Sequence, residues 1–255
     1  MSQNLTALRT IARREVARIL RIWGQTLVPP AITMTLYFLI FGNLIGSRIG
    51  TMDGISYMDF IVPGLVMMAI IQNAYGNISS SFFGAKFGRH IEEMLVSPMP
   101  NWVILGGYVA GGVLRGLMVG AIVLVIAMFF TRVSVPHPFI TLATVLLGAT
   151  IFSLAGFVNA VYAKKFDDIA IVPTFILTPL TYLGGVFYSV KLLPGWAETA
   201  THFNPIFYMV NAFRYGLLGQ SDVSMATAFA LMVGFVLALG ALGLWLLKRG
   251  IGLRS

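Results

Sequence analysis

An all-α integral membrane protein with six membrane-spanning helices is the fold this chain predicts, and three observations lead there. Of its 255 residues, 58% are hydrophobic and only 10% are charged, against about a quarter charged in soluble domains. Mean hydropathy is +0.87, and a soluble core of this size could not hide so much apolar surface, so lipid has to be its solvent. The apolar residues also fall into six runs long enough for a membrane helix, which needs about 20 residues: 26–45, 60–82, 103–130, 139–162, 169–187 and 226–247. Spans and short connections consume the length, so 1–255 reads as a single transmembrane domain without a soluble module. Cysteine is absent, which excludes disulfides, thiol catalysis and cysteine-bound metals.

Ahead of the first span, segment 4–23 is amphipathic. Leu5, Leu8, Ala12, Val16, Ile19 and Trp23 recur at three- and four-residue steps, while Arg9, Arg13, Arg14, Arg18 and Arg21 take the other faces. That is the pattern of a helix lying in the membrane interface. It either anchors span one or acts as a lever on a partner. The first span is too long for a signal-peptide core and has no small-residue cleavage site after it.

Counting Lys and Arg sets the orientation. One side carries those five arginines, Lys86 and Arg89 after span two, Lys164 and Lys165 after span four, and Lys248, Arg249 and Arg254 in the tail. The other side carries Arg48, Arg132, Lys191 and Arg214. Both termini are therefore expected in the cytoplasm. The net charge of +8 is read the same way, as basic residues beside anionic lipid and not as a nucleic-acid surface.

Span three is rich in glycine. Gly112, Gly116 and Gly120 make small-xxx-small steps, and Gly107 and Gly111 add another. Such a stripe admits a second helix at close range, from this chain or from a second copy. Arg115 lies beside it. A charge in mid-membrane is costly, so Arg115 either snorkels to the cytoplasmic interface or faces a wet interior.

Other polar residues within spans form two faces at helical spacing: Asn73, Asn77 and Ser80 in span two, and Thr174, Thr178 and Thr181 in span five. They either bond between helices or line a path for an amphipathic substrate. No acidic residue lies well inside a span. Asp59, Asp167 and Asp168 sit at span edges, where hydration or pairing with Lys164 and Lys165 is expected. That weighs against ion-driven transport, which usually relies on intramembrane ionisable groups, although Arg115 keeps an ATP-independent secondary transporter or channel as the alternative. No G-x-x-x-x-G-K-[ST], H-E-x-x-H or G-x-S-x-G occurs, so ATP binding through a phosphate loop and the commonest hydrolase chemistries are excluded. His90, His137 and His202 lack metal-ligand spacing.

Two connections carry more pattern than a linker needs. Loop 84–100 contains a short amphipathic stretch with Ile91, Met94 and Leu95 on one face and Glu92 and Glu93 elsewhere, ended by Pro98 and Pro100. Two adjacent glutamates suit an anionic lipid surface poorly, so the apolar knob is expected to enter a groove on a soluble partner. On the other side, segment 191–224 is long for a structureless loop. Asn204-Pro205 marks a turn and helix start, and Ile206, Val210, Phe213 and Leu217 share a face. A hairpin of helices dipping into the outer leaflet is expected, at the mouth of a path, because irregular backbone at that depth must be satisfied by protein or a wet cavity.

Four stretches carry a family resemblance: Arg21-Ile22-Trp23 running into Thr26-Leu27-Val28-Pro29-Pro30; Phe41 through Gly50; Ile91-Glu92-Glu93-Met94-Leu95-Val96-Ser97-Pro98; and Phe166-Asp167-Asp168-Ile169 through Pro194. Over nearly its whole length the chain resembles the permease subunit of ABC-2 type transporters, with His90-Ile91 standing where many relatives have Gly-Thr. The resemblance implies a bacterial inner-membrane exporter of lipid, glycan or drug, built from two permeases and two copies of a separate ATPase. The ATPase would hold ATP and Mg, and this chain would hold no cofactor. Arg89, Ile91, Glu92, Glu93, Met94 and Leu95 would form the coupling helix that touches the ATPase. The segment from Phe187 and Tyr188 to Arg214 would be an outer gate, with Pro194, Asn204 and Pro205 shaping its hairpin and Phe203, Phe207 and Tyr208 closing the exit.

Overall fold

The computed structural model describes residues 3–253, so Arg254 of the basic tail lies outside the described residues. The described residues are mostly helical. The amphipathic segment is α1 (Gln3–Arg21). Span one is a helical run made of α2 (Trp23–Thr26), α3 (Val28–Tyr37), a π-helical stretch (Phe38–Ile45) and α4 (Gly46–Ile49). Spans two, three, four and six are α5 (Tyr57–Phe87), α7 (Asn101–Ala127), α8 (Pro138–Tyr162) and α13 (Met225–Arg249). With the run through span one, these are five helices long and apolar enough to cross a membrane.

The run 169–187 has a different build. It comprises α9 (Phe166–Val172), a π-helical turn (Pro173–Leu177) and α10 (Thr178–Tyr182), of 7, 5 and 5 residues. At about 1.5 Å per residue this falls somewhat short of a hydrocarbon core of about 30 Å. Pro173 and Pro179 each remove an amide that an unbroken α-helix would use.

Two connections are helical. α6 (His90–Val96) joins α5 to α7, and α11 (Gly195–His202) with α12 (Pro205–Leu218) joins α10 to α13. Between span one and α5 lies an antiparallel pair, β1 (Thr51–Met52) and β2 (Ile55–Ser56). Asp53 and Gly54 form its turn with φ of 51° and 79°, the two positive values a type I′ hairpin needs. Ser56 then caps α5, its Oγ accepting the Asp59 amide at 3.1 Å.

The bundle has two ends. At one, the hairpin end, lie β1–β2, α11 and the start of α13. At the other, the basic end, α1 and α6 gather with the C-terminal turns of α5, α8 and α13 around a second apolar cluster that includes Ile11, Phe82, Ile91, Phe157 and Leu246. α5 is the central helix: 78% of its most apolar window is buried, against 17% for span one and 22% for α13. Its neighbours approach through glycines. A Cβ on Gly107 would sit 2.7 Å from Cβ of Ile11, and one on Gly111 would sit 2.6 Å from Cβ of Glu15, so these two admit α1. Gly112, Gly116 and Gly120 face Ala74 and Ile70 and admit α5. The whole stripe is thus used within this chain.

Gly64 of α5 also packs directly against backbone, which cannot yield as a flexible side chain would. A Cβ there would meet Cα of Val186 at 2.8 Å and its carbonyl oxygen at 2.9 Å. Gly64→Ala is expected to cost about 1–3 kcal/mol by overpacking. Gly76→Ala, on the same helix with nothing within 4 Å of the added carbon, should be neutral or stabilising by up to about 1 kcal/mol. Melting temperatures of the two variants in one detergent would test the contrast.

Candidate functional site

At the basic end, α6 is set by the turn before it. Arg89 precedes the helix at φ 60°, and its carbonyl accepts the Glu92 amide at 3.2 Å. The helix then points inward on the side expected to project: Ile91 is fully buried, and Met94 and Leu95 pack against the same cluster. The reason is local, because the basic-end cluster needs a floor and this apolar face is what covers it. Glu92 is half-buried, whereas Arg89, Glu93 and Val96 face outward. Val96, missed by the sequence reading, is 88% exposed. Beside α6 a groove of about 500 Å³ runs between it and α1, lined by Thr6, Thr10, Arg14, Met94 and Met99 among others.

Just inside this end lies a polar centre around Glu15, which is 1% exposed. Ser81 Oγ donates to Glu15 Oε1 at 2.6 Å, and Arg18 donates to Glu15 Oε2 at 3.0 Å. Arg18 also donates to Asn77 Oδ1 at 2.7 Å. Arg14 donates to the Tyr108 hydroxyl at 2.9 Å. The packed stripe of α1 is therefore Leu8, Ile11, Glu15 and Ile19, while Leu5 and Trp23 are exposed. A signal existed, because Glu15 is the sole acid of α1 and falls at helical spacing between Ile11 and Ile19. Arg115, partly buried, donates to the Thr26 carbonyl at 3.5 Å, at the junction of α2 and α3.

Most side chains of the two polar faces expected to bond between helices or line a path have hydrogen-bond partners close by. Asn77 is engaged by Arg18, Asn73 bonds the Ala69 carbonyl, and Ser80 bonds the Gly76 carbonyl. Thr178 and Thr181 bond carbonyls of Pro173 and Leu177 on their own helix, and Thr174 is exposed. At the span edges, Asp168 Oδ2 accepts the backbone amides of Lys164 and Lys165, at 2.8 and 3.2 Å. The Lys164 amide first of all holds the Asp168 carboxyl below the usual carboxylate range. That contribution is present at neutral pH and is lost as the pH falls through the lowered value. Asp59 takes hydrogen bonds from Ser56 and Thr131.

At the hairpin end, Asn204 caps α12. Its Oδ1 accepts the Ile206 amide at 3.0 Å, and its Nδ2 donates to the Leu180 carbonyl at 2.6 Å. Pro205 follows at the first helical position, where its missing amide is not needed. Ile206, Val210, Phe213 and Leu217 are all buried, as is Arg214. Arg214 donates to the Gly185 carbonyl at 2.7 Å and stacks over the Phe60 ring at 4.0 Å. The expected gate aromatics divide: Phe207 is core, Tyr208 is half-buried with its hydroxyl on the His202 carbonyl, and Phe203 is 85% exposed. Phe187 sits in an aromatic group with Tyr37, Phe41 and Tyr182. Within that group the Tyr37 and Tyr182 hydroxyls meet at 2.6 Å, tying α3 to α10. Tyr188 is half-buried, and Pro194 precedes α11.

Lys191 pairs with Asp222 at 2.7 Å across the end of the hairpin segment. The hydrogen bond that Lys191 donates to Asp222 raises the Lys191 pKa above the ordinary lysine value. Its contribution is therefore complete at neutral pH and lost only as the pH climbs through the raised value. Lys191 is exposed, so Lys191→Ala should cost no more than about 1 kcal/mol, and less in high salt. Melting at low and high salt would check this.

Residues 6–218, covering α1 through α12, match the ABC-2 type transporter family. The chain belongs to that family. It is 59% identical over 250 residues to the inner membrane transport permease YadH of Escherichia coli strain K12, covering 98% of this chain and 97% of the relative. It is 24% identical over 234 residues to nodulation protein J of Sinorhizobium fredii, covering 91% and 87% respectively. This ABC-2 protein is thus a transmembrane transport permease. Among its described residues no cluster of three or more His, Cys, Asp or Glu is placed to hold a metal.

Proposed function

We propose that this permease is the membrane half of an ATP-driven exporter in a bacterial inner membrane, carrying an amphipathic, lipid-like, glycan or drug substrate outward. The observation that carries this reading is the surface at the basic end. There α6 presents Arg89, Glu93 and Val96 beside a methionine-lined groove shared with α1. Methionine adapts to a partner's shape, and charged groups at its rim give register. A separate ATPase, two copies for two permeases, would dock there and hold the ATP and Mg. Ile91 then serves as the inward anchor of α6: force applied to the exposed face of the helix would reach α5 and α7 through Ile91, Met94 and Leu95. Segregation of the lysines and arginines to this end supports a cytoplasmic location for it and for both termini.

In this reading α9–α10 completes a sixth crossing, and α11–α12 is a re-entrant outer hairpin. Its support is the contrast between a buried α12 and an α11 whose Trp196 is 78% exposed. Purification of the tagged permease from its native host in mild detergent tests the proposal. An ATP-binding subunit should be recovered with the parent chain, and recovery should drop about tenfold or more with Glu93→Arg and Val96→Asp together, since truncating a central contact costs upwards of 1–2 kcal/mol. Failure to recover any ATPase with the parent chain would sink it.

One observation favours the ATP-independent alternative, the charged group of Glu15, Arg18 and Arg115 within an apolar bundle. It predicts that Arg115→Gln abolishes transport by reconstituted permease alone. Export requiring the ATPase predicts no transport without it.

A further inference from the structure

A second cavity at the basic end, of about 510 Å³, lies between the last turn of α5, the start of α6 and the connection from α8 to α9. One wall is cationic, formed by Lys86, Arg89 and Lys164, with Glu92 as the single carboxylate among the lining residues. Lys86 Nζ donates to the carbonyls of Val161 at 2.6 Å and Ala163 at 2.7 Å. Neutral carbonyls fix the ammonium in place without cancelling its charge. The other wall is apolar, with Phe87 and Tyr162 66% and 57% exposed. From there an aromatic strip continues outward: Phe166 lies 4.9 Å from Phe83 and 5.4 Å from Phe87, ring centre to ring centre, and is itself more than half exposed.

A cationic wall on one side, its Lys86 held by carbonyls, and an exposed aromatic strip on the other describe the complement of an amphiphile with an anionic head. A free phosphate would satisfy the first wall and leave the second bare. The cavity also sits where the apolar lengths of α5 and α8 end, the level at which headgroups meet aromatic belts. We propose that this cavity binds one anionic glycerophospholipid, its phosphate against Lys86, Arg89 and Lys164 and its acyl chains along Phe87, Tyr162 and Phe166. The cavity shares no lining residue with the groove between α1 and α6, though Arg89 belongs both to it and to the surface proposed for the ATPase, and it does not depend on the export reading, because the permease alone would hold the lipid. Glu92 connects the two regions: it belongs to α6 and also lines the lipid cavity.

The test is native mass spectrometry of the full chain in detergent, titrated with dioleoylphosphatidylglycerol or with dioleoylphosphatidylcholine. The parent should retain one phosphatidylglycerol in preference to phosphatidylcholine. The double variant Arg89→Gln, Lys164→Gln, which leaves the helix-capping Lys86 in place, should bind phosphatidylglycerol roughly 20-fold more weakly, given the usual contribution of each basic residue near anionic lipid. Arg9→Gln with Arg13→Gln removes the same charge from the same end and should leave binding unchanged. Melting curves establish that each variant is folded, and Phe87→Ala alone, which alters no charge, should also weaken retention. Equal retention of the two lipids by the parent would overturn the proposal, as would equal loss in both double variants. Complete displacement by millimolar inorganic phosphate would reduce the site to an anion site. Displacement by a purified ATPase subunit would reassign it to a protein partner.

Discussion

Glu15→Ala is expected to destabilise the permease by about 3–5 kcal/mol, the usual consequence of removing one member of a buried ion pair. Glu15 is buried to 1% and accepts from both Ser81 and Arg18. Its loss leaves the Ser81 hydroxyl without this acceptor and the Arg18 guanidinium without its carboxylate partner. Arg18→Ala should cost less, because its side chain is 30% exposed and water compensates. The double variant should be milder than the sum of the two, since a charge that has lost its partner is the costly state. Arg13→Ala on the exposed side of α1 serves as control. Thermal melting in detergent measures all four. A Glu15→Ala protein that melts with the parent would show that α1 is held by its apolar stripe alone.

Arg214→Ala is expected to be nearly as damaging. A hydrogen bond involving a charged group contributes about 1.5–3 kcal/mol, and a desolvated cation over an aromatic ring about 2. Arg214 makes both, to the Gly185 carbonyl and the Phe60 ring. It also pins a particular place: Gly185, at φ 74°, lies in the turn where the chain leaves α10 for the hairpin segment. Losing the anchor should loosen the path from Gly184 to Ser189 before it loosens the bundle. Hydrogen exchange should therefore rise there first, with α5 and α8 staying protected. Arg214→Lys keeps the charge but loses the planar stacking surface, and should fall between. Uniform loss of protection across all helices would refute a local anchoring role.

Length and composition made the apolar runs legible, because a span announces itself by being long and uncharged. The same uniformity hid the packing order. Residues facing lipid and residues facing protein are equally apolar, so nothing in 60–82 marked α5 as central. The interruption near 169–187 did have a signal, Pro173 and Pro179 only six positions apart, which hydropathy alone outweighs. The hairpin at Asp53-Gly54 was likewise written in its turn dipeptide and overlooked beside the spans. In α6 the amphipathic pattern identified an apolar face correctly as a face, yet amphipathicity is silent about what covers it, and the chain covers it itself. Glu15 escapes a periodicity built on apolar residues, because the stripe that packs includes a carboxylate whose partners, Ser81 and Arg18, come from both sides of a tertiary contact.

The glycine flanks of α7 also decide where this sequence is free to drift. At Gly111 and Gly116 neighbouring helices meet close to backbone thickness. No smaller residue exists, so every substitution there adds volume against elements that are themselves fixed. On the outer faces of span one and of α9–α10, Ile32, Leu36, Phe175 and Ile176 are exposed, and one apolar side chain serves there about as well as another. A saturation-mutagenesis map of the permease would then be darkest along a stripe that performs no chemistry, and palest on faces a casual inspection would call its surface. Tolerance to substitution in this chain reports the spacing of helix axes more than it reports the location of function.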